Sequence, residues 1–465
     1  MRAVITDPSV LEGYLTDASN VPGHADGLVR PSTTEEVAEI VRHCQEHGIA
    51  LTVSAGRTST TAAAVPEGGW VLSMERCNQV LAIREHTATA QGGVFLGAFQ
   101  QQIEATGRFF PPDPTSRHEC TLGAAIACNA SGARSFRYGP IRPWVEAITV
   151  VLPTGEILHA KRGDAIPADW PIPHWTEPAV KTAAGYAPPL DLVDLFVGQE
   201  GTLGIITEAT VRLTDLPRDV AGILAYFPSR DTALSFVSAA REAGKADPDG
   251  LVSPRCLEYF DGHCLDLARD RVGGVPEEAA CALFCEQELV ADEDEHLGAW
   301  WELLVSCEAL ADDTLIATDP GTQEQLLQLR HAVPAGVNEE VIRNGMPKVG
   351  TDLAVPDAAL PEMMDAYEAA PMRHVLFGHI GDNHLHLNLL PTSAEELAQA
   401  RAFYSELVSK ALALGGTVSA EHGIGKLKRA YLAQMVGPET LAAFRALKDR
   451  LDPAWILGRG TLLAP

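Results

Sequence analysis

Positive charge is scarce in this chain. Thirty-five Lys and Arg stand against 62 Asp and Glu among 465 residues, a formal charge of −27, and only eight of the cations are lysine, none before Lys161. Nucleic-acid binding is excluded on that account, since contact with a phosphate backbone needs clustered cations. Long apolar runs are also missing: no stretch approaches the roughly 20 residues that span a bilayer. The opening from Met1 to Asp17 carries Asp7, Glu12 and Asp17 and does not read as a signal peptide. The nine cysteines are scattered and form no Cys-x-x-Cys, so zinc-ribbon, dithiol and iron–sulfur spacings are absent. A reduced, cytoplasmic protein is expected. No solenoid or propeller period repeats. Neither the P-loop, Gly-x-x-x-x-Gly-Lys-Ser/Thr, nor a Gly-x-Gly-x-x-Gly following a strand occurs. What remains is ordinary globular material, 46% hydrophobic and 21% charged, at a length that allows two or three domains of about 150 residues.

The opening reads as α/β. Ser32 to Glu35 and Thr33 to Glu36 are overlapping capping boxes, and Val37, Ile40, Val41 and Cys44 follow at helical spacing up to His47-Gly48. A β-branched strand, Ile49 to Val53, then runs into Ser54-Ala55-Gly56-Arg57-Thr58-Ser59. Glu146 to Leu152 and Ile205 to Leu213 read as further strands. From about Pro217 the glycine-rich loops stop and acidic helical stretches begin, Val290 to Leu310 among them. Thr392 to Glu396 opens another capped helix, ending at Gly415-Gly416.

Three segments rich in glycine and hydroxyls fall within the first half. Ser54 to Thr61 places small residues and hydroxyls just after a strand, where backbone N–H groups can converge on an anion without bulky side chains in the way. Thr121 to Ala133, following Pro111-Pro112-Asp113-Pro114, offers a surface against which a flat, rigid ligand can lie. Gly198 to Thr207 is the third. Each alone is ordinary loop sequence; together, in one domain, they read as a ligand cradle.

A separate constellation lies near the C-terminus. His379, His384 and His386 fall within eight residues around the turn signal Gly381-Asp382. Beyond the turn, His384, His386 and Asn388 alternate with leucines, the pattern of a half-buried strand with one polar face. Glu421-His422 adds a carboxylate and another imidazole between small residues. Imidazoles with a carboxylate form a plausible set for a divalent metal with open positions.

The chain resembles flavin-dependent oxidoreductases of the vanillyl-alcohol-oxidase type, in the branch of D-lactate dehydrogenases, D-2-hydroxyglutarate dehydrogenases and the flavin subunit of glycolate oxidase. The resemblance covers nearly the whole chain. It rests on Ala55 to Ser59, Pro111 to Pro114, Thr121-Leu122-Gly123, Gly198 to Thr207, Gly378 to Asp382 and Ser419 to Gly425. It implies an α+β fold: an FAD-binding domain over 1–216, a substrate domain with an antiparallel sheet over 217–415, and a segment over 416–465 returning to the FAD domain. It implies non-covalent FAD on Ala55, Gly56, Arg57, Thr58 and Ser59, on Pro112 and Asp113, and along Thr121, Leu122, Gly123, Ala127, Asn129 and Gly132. Gly201, Gly204 and Ile206 complete that set. It implies a metal, zinc with manganese or iron as alternatives, on His379, His386 and Glu421, with His422 as base and Arg330, Lys348 and Asn388 toward the substrate.

Three places depart from the family pattern. Arg57 stands at a glycine position, Asn383-His384 replaces Gly-Asn so that His384 is a further candidate ligand, and Leu457-Gly458-Arg459-Gly460-Thr461 replaces Leu-Asn-Pro-Gly-Lys. The activity implied is oxidation of a D-2-hydroxy acid, D-lactate ahead of D-2-hydroxyglutarate, with electrons passed to a quinone, a cytochrome or an electron-transfer protein. Peripheral association with the inner membrane face, and the oligomeric state, stay open. Two other readings also stay open: a metallohydrolase built on the His/Glu site, and a flavin subunit active only inside an electron-transfer complex.

Overall fold

A computed structural model describes residues 3–464 apart from 270, 272 and 273; the side chains of 320, 324, 325, 327, 329 and 331 also lie outside the description. Helix Thr34–His47 starts at Thr33, whose hydroxyl accepts the Glu36 amide at 3.2 Å, while the Glu36 carboxylate folds back onto the Ser32 N–H at 2.7 Å. Of the two overlapping boxes, the one beginning at Thr33 makes the cap. The apolar face of this helix packs on a parallel sheet ordered Gly27–Val29, Trp70–Ser73, Leu51–Ser54. A second sheet, antiparallel, is ordered Val80–Ile83, Thr87–Gln91, Ile205–Arg212, Val145–Val151, Ile157–Lys161.

The largest sheet has eight antiparallel strands. Its path is Leu315–Ala317, Val220–Phe227, Cys281–Glu288, Pro254–Asp261, His374–His379, His384–Leu389, Val349–Gly350, with Leu353–Ala354 also paired to His384–Leu389. The long strands escaped the residue-by-residue reading of this region, which gave helices. Val220–Phe227, Pro254–Asp261 and Cys281–Glu288 are covered on both faces, so they carry no alternation to read. His384–Leu389 differs from expectation for the same reason: it is covered on both sides, and its polar face meets other polar side chains instead of water.

The end of the chain lies on the first sheet. Leu51 N–H donates to Ile456 O at 2.6 Å, and Leu51 bridges Leu457 in parallel. The buried Lys448 ammonium donates to Thr202 O, Leu457 O and Asp452. Among the described residues, no helix is long and apolar enough to cross a membrane.

Candidate active site

The antiparallel register sets His379 opposite His384 across the turn Ile380–Asp382, and His386 follows on the same face. Asn383 takes the left-handed conformation at φ 53°, which Asn tolerates better than most residues. The buried Arg241 guanidinium staples the turn by donating to the carbonyls of Ile380 and Gly381 and to Asn383 Oδ1. Gly378 has φ 138°, and a Cβ there would stand 3.0 Å from both His384 O and His386 Cδ2, so a side chain would be strained and crowded.

His379, His384, His386 and Glu421 each bring a ligand atom within 4.8 Å of the others. His379 Nδ1 lies 3.2 Å from Glu258 Oε1, which turns Nε2 toward Glu421 Oε1 at 3.4 Å. His386 Nδ1 sits 3.1 Å from Thr351 O, leaving its Nε2 free. Burial works against charge on His379, yet Glu421 and Glu258 outweigh it and hold the imidazole up at about 9. Burial pushes His384 and His386 the other way, toward the neutral form that binds metal.

Asp352 organises the segment that carries Glu421 and His422. It accepts the Glu421 amide at 3.0 Å, the His422 amide at 3.1 Å, Ser419 Oγ at 2.6 Å and Lys428 Nζ at 2.6 Å. His384 Nε2 is 3.0 Å from its Oδ1, and His422 Nδ1 is 3.6 Å from its Oδ2. Burial alone would raise the Asp352 carboxyl; His422, Lys428 and His384 hold it well below the usual range. His422 stacks on His386 at 5.4 Å. Its side chain is 35% exposed, yet the protein walls around it lower its pKa, with Lys428 adding to the effect against Asp352.

Glu421 also meets the small-residue segment of the first domain. Lys181 Nζ bonds Glu421 Oε1 and reaches Gly132 O and Asp382 Oδ2, both at 3.3 Å, while Ser131 Oγ lies 3.3 Å from Glu421. In the loop after Leu51–Ser54, Gly56 permits a backbone contact: a Cβ would stand 2.1 Å from Glu119 O. Arg57 takes φ 54° and lays its guanidinium over the Tyr14 ring, 4.9 Å from the centroid. Asp113 is committed to the Arg134 amide at 3.1 Å and faces its guanidinium, so it fixes the 131–134 loop. Leu122 is fully buried in the core.

Lys348 is exposed, yet the protein around its ammonium lowers its pKa. It donates to Asn388 Oδ1 at 2.8 Å. Arg330 is placed differently from Lys348: its Nε and Nη2 grip the Glu258 carboxylate at 2.7 and 3.1 Å.

The family described as FAD linked oxidases, C-terminal domain, matches residues 216–462, and the FAD binding domain matches 25–161. The chain belongs to the FAD-linked oxidases. It is 31% identical to glycolate oxidase subunit GlcD of Bacillus subtilis, over 94% of this chain and 89% of that one. It is 31% identical to D-2-hydroxyglutarate dehydrogenase of Xanthomonas citri pv. viticola over 98% and 93%. To D-lactate dehydrogenase of Anaerostipes hadrus it is 30% identical over 99% and 94%. A solved alkyldihydroxyacetonephosphate synthase shares the fold, with TM-score 0.70 at 18% identity over 98% of this chain and 81% of that one.

The residues of this FAD-linked oxidase fit the flavin nucleotide. Ser54 Oγ, Thr121 Oγ1 and Asn129 Oδ1 are buried without a hydrogen-bond partner. Such atoms cost about 1–3 kcal/mol each unless a ligand meets them. Gly201 at φ 73° opens onto free space, as a cradle requires. The donors also fit a divalent metal: three imidazoles and a carboxylate, one imidazole backed by Glu258 as metal-bound histidines commonly are.

Sequence reading missed four residues of this site. Glu258, Asp352 and Lys181 carry charge in buried surroundings, and Glu258 in the otherwise apolar run Leu257-Glu258-Tyr259-Phe260 was the readable signal. The fourth is Glu200, whose carboxylate accepts the Ile424 and Gly425 amides at 2.8 Å each and ties the third glycine loop to the His422 segment. Burial pushes Glu200 up to about 7, against those two amides and Lys428. A folded-state pKa above the unfolded 4.5 stabilises fully below 4.5, and that contribution is lost as pH rises through about 7. In Glu200→Gln the loss is absent. The melting-temperature gap between variant and wild type should therefore shift in the variant's favour from about pH 5 to about pH 8; an equal gap at both would show that Glu200 does not titrate there.

Proposed function

We propose that this FAD-linked oxidase oxidises a small D-2-hydroxy acid to the 2-oxo acid, D-lactate ahead of D-2-hydroxyglutarate, with a division at 216 and 415 into FAD, substrate and returning C-terminal parts. The observation that carries the reading is the contact of Ser131 and Lys181 with Glu421, which sets the His/Glu cluster against the segment expected to line the flavin. FAD, when bound, supplies the two-electron acceptor for the C2 hydride. His379, His386 and Glu421, with His384 beside them, would hold a divalent ion, zinc before manganese or iron, whose chemistry there is to acidify the substrate hydroxyl.

The chain's own residues do the rest. Lys348 receives the substrate carboxylate, with Asn388 orienting its ammonium. His422 turns Nδ1 toward Asp352, leaving Nε2 to take the hydroxyl proton. Asp352 keeps that ring in place and favours the imidazolium once it forms. Arg330 has two of its nitrogens on Glu258 and serves first to hold that carboxylate against His379. Among the described residues around the His/Glu cluster, Lys348 is thus the cation without a carboxylate partner, which suits a monocarboxylate better than a dicarboxylate.

Anaerobic titration of the purified protein with D- and L-lactate, D-2-hydroxyglutarate and glycolate tests this. The flavin band should bleach with D-lactate, stay oxidised after chelator, and bleach again once a divalent metal is restored. Bleaching that survives thorough chelation would remove the metal from the reading, and an inert flavin with every acid would favour a subunit that works only within a complex. A protein that takes up no FAD would leave the metallohydrolase.

A further inference from the structure

At the opposite end of the His374–His379 strand lies a second group of ligating side chains. Pro254–Asp261 pairs with this strand, Tyr259 opposite Gly378 and Phe260 opposite Phe377. His263 follows that strand in the first turn of helix Gly262–Arg269, and its ring stands perpendicular to that of His374 with centroids 4.8 Å apart. Asp261 is held rigidly, its Oδ1 accepting the Cys264 amide at 2.8 Å at the start of helix Gly262–Arg269, and its Oδ2 faces His263 Nδ1 at 3.6 Å. His374 Nδ1 lies 2.9 Å from Met372 O, so that nitrogen carries the proton and Nε2 keeps its lone pair. One ligand atom from each of Asp261, His263 and His374 falls within 4.8 Å of the others.

The geometry points to a second divalent-metal site on Asp261, His263 and His374, separate from the His/Glu cluster. His379 lies five residues further along the strand, about 16 Å away at roughly 3.3 Å per residue. Two imidazoles and one carboxylate suit zinc, nickel or cobalt over magnesium or calcium, and three protein ligands leave a position for water. Bonds of about 2.0–2.1 Å bring tetrahedral donors to roughly 3.3 Å of one another. A rotation of the His263 side chain, 44% exposed, supplies that closure. Arg373, just before this strand, faces Glu340 at 3.6 Å, which offsets its charge. The carboxylate held by backbone, the imidazole whose tautomer is fixed by a carbonyl, and the partly exposed third ligand together make a site that closes on its ion. Closed, it pins the start of helix Gly262–Arg269 to the strand that carries His379.

Zinc binding by calorimetric titration, with metal content after gel filtration in metal-free buffer, tests this in two backgrounds. In the full-length protein, His374→Ala combined with His263→Ala should lose one retained zinc per chain while flavin absorbance per chain is unchanged. In Glu421→Gln/His386→Ala, which disables the other cluster, one retained zinc should remain and then disappear when His374→Ala is added. If the His263/His374 variant retains as many ions as its parent in both backgrounds, the site does not exist. Zinc that binds during titration but is stripped by gel filtration would equally overturn it. Because the second background lacks the other cluster, failure there is distinct from failure of the functional reading above.

Discussion

His422→Ala is expected to lower kcat by about 10²–10⁴ while the protein stays yellow, since general-base assistance is typically worth that much. The ring stacks on His386, faces Asp352 with Nδ1, and keeps about a third of its side chain exposed. Surrounding protein favours its neutral form, the form that accepts a proton. On the proposed reading KM for the hydroxy acid should move little, because Lys348, oriented by Asn388, is the group assigned to the carboxylate. Stopped-flow reduction of the flavin under single-turnover conditions isolates the step. Near-normal flavin reduction in the variant would remove His422 from the reaction, and loss of FAD would make it structural.

Asp352→Ala should have the largest effect on stability. Four donors converge on this carboxylate, Lys428, Ser419 and two amides, and His384 Nε2 stands 3.0 Å away. Removing one partner of a buried ion pair costs about 3–5 kcal/mol, because the other charge is left uncompensated. The pH dependence has a definite sign. A carboxyl held below its unfolded value of 3.8 contributes stability that is present above that value and lost as pH falls through the folded one. Wild type should therefore outlast the variant at neutral pH by far more than at low pH. Thermal melts across the acid range read this directly, and an unchanged melting temperature at neutral pH would show that Asp352 is not the hub. Metal content should fall as well, since the Glu421 and His422 backbone loses its anchor.

The sequence alone determined the ends of helices and which histidines would share a face. Thr33, Ser393, Gly48 and the spacing of Val37, Ile40 and Val41 act within a turn or two of chain, so local chemistry suffices to place them. The His379, His384 and His386 cluster was legible for the same reason: a tight turn and a period of two put all three on one face. The buried strands of the large sheet were not legible, because residues covered on both faces lose the alternation that marks a strand.

Tertiary structure alone decided which charges meet. Glu258 reaches Arg330 and His379 across gaps of 72 and more than a hundred residues, and Lys181 reaches Glu421 across 240. Glu200 reaches Gly425 across 225. A charge in a sequence carries no record of its partner, since Coulomb energy depends on distance in space and on local dielectric, both set only when the sheets pack. That is why Arg330, which the family resemblance implied as a substrate ligand, has two of its nitrogens on Glu258, while Lys348 donates to Asn388.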